Sequence, residues 1–204
     1  MNLKQRLFSK STEHRFHYQD DQLITQLCNT LMEWVPPKQT IVIVCIGTDR
    51  STGDALGPLI GTLLQEHPLQ NLTVYGTLDN PVHAVNLVEK LEAIQRAHPH
   101  ACVIGIDACL GKVTSIGTII VGQGPVKPGL AVKKQLPDVG HLHITGVVNV
   151  SGFMEYFVLQ NTRLHLVMQM AKQIVALLVR FDQQFPYSYS NKNSFLPEWS
   201  NPSY

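Results

Sequence analysis

Two uninterrupted apolar runs, Ile41-Val-Ile-Val-Cys-Ile46 and Ala101-Cys-Val-Ile-Gly-Ile106, constrain this chain most. A strand with one wetted face alternates apolar and polar residues. A run without alternation predicts a strand covered on both faces. Helical stripes stand around these runs. Leu23, Ile24, Leu27, Leu31 and Trp34 recur three or four apart within 21–35, and Pro36-Pro37 ends the pattern. Leu56, Leu59, Ile60, Leu63 and Leu64 form a second stripe, and Val85, Val88 and Leu91 a third within 82–96. Residues 72–75, 117–122 and 142–148 are further strand candidates. Residues 122–140 form a loop broken by Pro125, Pro128 and Pro137. Residues 151–181 hold one or two helices, broken near Asn161-Thr162. The alternation predicts an α/β fold with a mostly parallel sheet between helices.

A length of 204 residues suits one domain. The expected division is a polar N-terminal arm over 1–19, an α/β domain over 20–185 and a flexible tail over 186–204. The segment 164–181 is apolar almost all round, which predicts burial against the sheet or a second copy, and hence self-association. Hydrophobic residues make up 44% and charged residues 15%, with a formal net charge of +1. No field of one sign steers the chain to nucleic acid or an anionic membrane, so neither is an expected partner. Cys28, Cys45, Cys102 and Cys109 show no CxxC spacing, which predicts free thiols in a reducing compartment. The charged N-terminus carries no secretory pattern, and no run reaches the about 18 apolar residues of a membrane span. A cytoplasmic protein is expected.

In a doubly wound sheet the first and third strands lie side by side, and ligands bind outside their carboxyl ends. Here those ends lead into Gly47-Thr-Asp-Arg-Ser-Thr-Gly-Asp54 and into Asp107-Ala-Cys-Leu-Gly111. Asp54 and Asp107 are therefore the candidate catalytic residues. Two nearby carboxylates divide acid and base work, because one pKa rises as the other falls. The start of a helix favours charge on Asp54, and an apolar strand favours a proton on Asp107, although the reverse roles are equally open. The competing structural reading makes Asp54 a helix N-cap and Asp107 a loop tether. Thr48, Asp49, Arg50 and Ser51 are candidate substrate-binding residues, with Asp79 after the second strand. The glycine loop lacks a P-loop lysine and is not GxGxxG, so nucleotide binding is disfavoured. His141 and His143 alternate and are expected to share a side. Lys127, Lys133 and Lys134 form a small basic cluster. Ser51 and Cys109 lie in the two key loops as possible nucleophiles.

Ile46-Gly-Thr-Asp-Arg-Ser-Thr-Gly-Asp-Ala-Leu-Gly-Pro58, with Ile104-Gly-Ile-Asp-Ala-Cys109 and Gly146-Val-Val-Asn-Val150, resembles the YyaC-type sporulation proteins. Those resemble the spore germination protease and, more distantly, the hydrogenase maturation endopeptidases. The resemblance covers roughly residues 40–180. It implies a three-layer α/β/α fold and an atypical aspartic peptidase, whose two aspartates fall on Asp54 and Asp107. The hydrogenase maturation enzymes add a histidine and recognise nickel. That histidine would fall in 127–136, where this chain has Val132, Lys133 and Lys134 but no His. No cofactor is therefore expected. The implied function is a sporulation-associated peptidase that acts on a protein, such as the small acid-soluble spore proteins, in the sporulating cell or forespore. The alternatives are a non-catalytic sporulation factor that binds a peptide in the same cleft, and a metal-dependent endopeptidase using Asp54, Asp107 and a histidine.

Overall fold

A computed structural model describes residues 12–129 and 136–186. The elements run β1 (Glu13–His17), α1 (Leu23–Trp34), β2 (Ile41–Cys45), α2 (Leu56–Gln65), β3 (Leu72–Tyr75), α3 (Leu87–Ala97), β4 (Cys102–Gly111), β5 (Thr118–Gln123), β6 (Leu142–Val150), α4 (Glu155–Gln160) and α5 (Leu164–Gln184). The strands form a six-stranded sheet in the order β1-β5-β6-β4-β2-β3. β3, β2, β4 and β6 pair in parallel, and β5 and β1 close one side antiparallel. The two continuous apolar runs are thus neighbours, with Ile41 beside Cys102 and Cys45 beside Ile106.

Their lack of alternation follows from the layers. Ile41, Ile43, Cys45, Ile104 and Ile106 pack with α1, α2 and α5. Val42, Val44, Ile46 and Val103 face the opposite way, onto Leu87, Leu91 and Ile94 of α3. Fully burying one such aliphatic side chain contributes about 1.5–3 kcal/mol before the entropy of ordering it. α5 is long and apolar enough to cross a membrane by length and composition. On its inner side Val167, Met170, Ile174, Leu177, Leu178 and Phe181 join the core shared with α1, α2 and the sheet, while Leu164 is exposed.

Two sequence expectations change. Residues 13–17, expected within a polar arm, form the edge strand β1, with Glu13 beside Gly122 and His17 beside Thr118. The third helix begins at Leu87 rather than Val82. Val82 is held beside Ile46 as a parallel bridge. Asn86 then closes a turn, accepting from His83 N–H at 2.8 Å and donating to Pro81 C=O at 2.9 Å. The expectations for 1–11 and for the tail over 187–204 lie outside the described residues.

Near the end of α5, buried Asp182 ties the chain into β3. Its carboxylate accepts from the backbone N–H groups of Gln70, Asn71 and Leu72 at 2.9, 2.7 and 3.1 Å. Asp182→Ala would strand those donors and lose charge-assisted bonds, an expected cost of about 3 kcal/mol. At ~2–4 °C per kcal/mol for a domain of this size, thermal unfolding should fall by about 6–12 °C. An unchanged melting temperature by circular dichroism would count against this tether.

Candidate active site

The half of the sheet that α3 leaves uncovered forms the floor of a cleft. On β4, Gly105 lies under Val126 and Val139, which bridge to each other over the sheet. A methyl group on Gly105 would sit 2.6 Å from the Val126 side chain, so this cover is tight. Two residues further along the same face, Asp107 emerges beyond the cover. β6 sets His143 beside Gly105 and Thr145 beside Asp107. The cleft holds about 850 Å³ and opens at the carboxyl ends of β2 and β4.

Asp54 enters from the opposite wall. Gly47 ends β2 with φ +147°, a conformation side chains rarely adopt, and the loop then doubles back. Thr48 N–H donates to the Asp54 carbonyl at 3.1 Å, and Gly53 N–H to Leu159 C=O at 2.9 Å. α2 starts at Leu56 behind Ala55, and no side chain caps it. The capping role open to Asp54 is thus not taken up, and its carboxyl faces the cleft.

Thr48, Asp49, Arg50 and Ser51 line the cleft together with Asp54 and Asp107. Asp79 does not. It is exposed in a turn closed by Thr77 and Asn80, which bond each other at 3.2 and 3.0 Å. The two candidate histidines part company. His141 accepts from Val103 N–H at 3.0 Å, tying down the start of β6, while His143 lines the cleft. His143 Nδ1 sits 3.0 Å from Gly124 C=O, and its Nε2 lies 3.9 Å from Glu13. Lys127 lies on the rim; Lys133 and Lys134 are outside the described residues. Sequence reasoning missed the cleft roles of His83, Thr145, Glu155 and Tyr156. The strand register places Thr145 beside Asp107, and His83 follows the residue bridged to Ile46. Neither relation is local in sequence.

The two acids differ electrically. Asp107 keeps some exposure on the cleft floor, yet its carboxyl is packed deeply among protein atoms. Burial first, and then the charge of Asp54, hold its pKa well above the ordinary carboxylate value; the Ala108 N–H, bonded at 2.8 Å, opposes this only in part. Burial also raises Asp54, and the nearby Ser51 hydroxyl works the other way. Ser51 Oγ is buried and lies close to Asp54 without forming a well-shaped hydrogen bond. Two neighbouring acids of this kind titrate as a pair. The arrangement favours one proton shared between them, held mainly on Asp107.

Cys109 lies within β4 rather than in a loop. Burial raises its thiol to about 11, with Thr145 and Arg15 pulling down and Asp107 pushing up. A thiol of this kind is a poor nucleophile at neutral pH. Iodoacetamide should therefore label Cys109 slowly at pH 8 and much faster as pH rises toward 11, read by peptide mass spectrometry. Rapid labelling at pH 7 would contradict this environment. Among the described residues, no group of three His, Cys, Asp or Glu side chains is gathered to hold a metal ion.

Residues 15–177 match the family described as "Protein of unknown function (DUF1256)". The chain belongs to that family. It is 63% identical over 131 residues to "Uncharacterized protein YyaC" of Bacillus subtilis (strain 168), a match that spans 64% of each chain. The chain thus spans less than two thirds of that curated relative's length. Among solved structures, this DUF1256 chain is similar to the [NiFe] hydrogenase maturation protease HycI from Thermococcus kodakarensis KOD1. That match has a TM-score of 0.51 and 19% identity, over 78% of this chain and 99% of the other. At that identity the likeness establishes the three-layer, protease-like α/β/α fold and nothing finer.

Proposed function

We propose that the protein is an endopeptidase of the sporulating cell, in which Asp54 and Asp107 activate a water against a peptide bond of a protein substrate. The observation that carries this reading is a pair of unequal acids in one cleft, both raised by burial, with Asp107 pushed further up by the charge of Asp54. Asp54 takes a proton from the water as its oxygen adds to the carbonyl carbon. Asp107 donates its proton toward the carbonyl oxygen. Collapse of the tetrahedral species passes a proton to the leaving nitrogen and restores the pair. In the loop before α2, the N–H groups of Gly47, Thr48 and Gly53 are committed to the carbonyls of Val82, Asp54 and Leu159. Arg50 N–H donates to Thr48 Oγ1 at 3.3 Å. Support for a developing oxyanion therefore falls to the backbone N–H groups of Asp49 and Ser51, both of which line the cleft. The four cysteines are free, in keeping with a cytoplasmic setting.

The test is incubation with small acid-soluble spore proteins, read by intact mass, beside a folded Asp107→Asn control and a chelator arm. Discrete fragments from the natural sequence alone, unaffected by chelator, are expected. Fragments that disappear with chelator would transfer the water to a metal. No fragments would overturn cleavage of these proteins and favour a binding role for the cleft.

A further inference from the structure

β4 outruns β2, and the overhang forms one wall of the cleft. β4 stays paired with β6 as far as Gly111, whereas its pairing with β2 ends at Ile106. Inside a sheet, successive residues turn their N–H and C=O groups to opposite neighbours. In β4 the even-numbered residues face β2: Cys102 N–H donates to Thr40, and Ile106 C=O accepts from Ile46. The odd-numbered residues face β6: Val103 C=O accepts from His141, and Gly111 C=O from Ser151. The register with β6 slips by one residue between Cys109 and Leu110, the extra residue being Val148 of β6, so the alternation along β4 itself continues to Gly111. Beyond Ile106 the even-numbered residues are Ala108 and Leu110, and among the described residues no strand pairs on their side. Ala108 N–H is taken by the Asp107 carboxylate at 2.8 Å. That leaves Ala108 C=O, Leu110 N–H and Leu110 C=O without a backbone partner among the described residues. Asp107, Ala108, Cys109 and Leu110 all line the cleft in succession, as expected of a strand seen edge-on.

We propose that this overhanging edge of β4 captures the substrate as an added strand: an extended stretch of polypeptide runs where β2 would have continued. Main-chain bonds to Ala108 C=O and to Leu110 N–H and C=O hold it there, with a peptide carbonyl beside Asp107. The proposal rests on the peptidase reading and names its substrate class as an unfolded or locally unfolded segment, recognised first by backbone and only then by side chains. The chemistry matches. An unpaired edge is a template for any extended chain, and shelter inside a cleft keeps it from pairing with other sheets. Strand spacing also carries specificity, since alternate substrate side chains point to opposite walls. His83, Val85, Tyr156 and Leu159 line the same cleft and are available to such side chains.

The test uses 15N-labelled Asp54→Asn protein, which binds without turnover, and a library of capped decapeptides of mixed sequence. A matched library N-methylated at every residue is the control. With the unmodified library, the Leu110 amide signal should shift, and its hydrogen exchange should slow about tenfold, while other rim amides change less. The N-methylated library should produce neither effect. An unaltered Leu110 amide at millimolar unmodified peptide, or equal effects from both libraries, overturns strand addition. The peptidase reading fails separately. Dyad-dependent cleavage with Leu110 unprotected rejects only the docking mode, whereas protection of Leu110 with no cleavage rejects only the chemistry.

Discussion

Asp107→Asn is expected to reduce peptide-bond cleavage by about 10²–10⁴-fold, the usual contribution of a positioned acid or base. It is also expected to make the protein more stable at neutral pH. Burial and the Asp54 charge raise the folded pKa of Asp107 well above the 3.8 of a free carboxyl. The folded state therefore binds this proton more tightly than the unfolded state. That contribution is complete below about pH 4 and is lost as pH rises through the raised value. At neutral pH the natural protein carries the cost of two neighbouring acids, and an amide removes it. Relief of this kind usually gains about 0.5–2 kcal/mol. The melting temperature of Asp107→Asn should exceed that of the natural protein by ~2–4 °C per kcal/mol at pH 7. The two should converge near pH 4. A variant less stable at pH 7 than its parent would show that Asp107 is a tether and not a strained acid.

Gly57→Ala is expected to damage both fold and activity, although alanine favours helices. A methyl group at Gly57 would sit 2.1 Å from the Ile46 carbonyl oxygen, and one at Gly61 would sit 2.0 Å from the Gly76 carbonyl. The two glycines are four apart on α2 and let the helix lie directly on the carboxyl end of β2. The obstacles are backbone atoms, which cannot rotate away. Alanine gains about 1 kcal/mol of helix propensity over glycine, but forced overpacking costs about 1–3 kcal/mol and sometimes more. A net loss is expected, with α2 displaced from the sheet. Asp54 lies two residues before this helix and would move with it. A misplacement near 1 Å is enough to cost about 100-fold in rate. Thermal unfolding and cleavage should therefore fall together in Gly57→Ala. Full stability with full activity would refute the close approach.

How much of this was legible depended on whether the deciding contacts were local. The two unbroken apolar runs marked strands covered on both faces, and the usual doubly wound strand order placed them side by side, as β2 and β4 are. The pair Asp54 and Asp107 followed from that adjacency, although Asp107 proves to lie within β4, which runs on to Gly111, and Asp54 at the far end of the loop after β2. β1 was illegible for the opposite reason. Glu-His-Arg-Phe-His is as polar as a solvated arm, and only its pairing with β5 makes it a strand. The start of α3 was misread because Val82 fits the helical stripe, yet its bridge to Ile46 holds it out of the helix. His83 and Thr145 reach the cleft through that bridge and through strand register, so periodicity had no access to them. Asp79 was drawn in by its position after a strand, but β3 is an edge strand at the far side of the sheet.

The central claim is that Asp54 and Asp107 act as one unequal acid pair. It is tested most directly by following the aspartate carboxyl carbons by 13C NMR across a pH titration, in the natural protein and in Asp54→Asn. Asp107 is expected to keep its proton well above the range of the other aspartates. Removing the Asp54 charge is expected to lower the Asp107 midpoint while leaving it raised by burial. An Asp107 that titrates with the ordinary carboxylates, or is indifferent to Asp54→Asn, would contradict the claim.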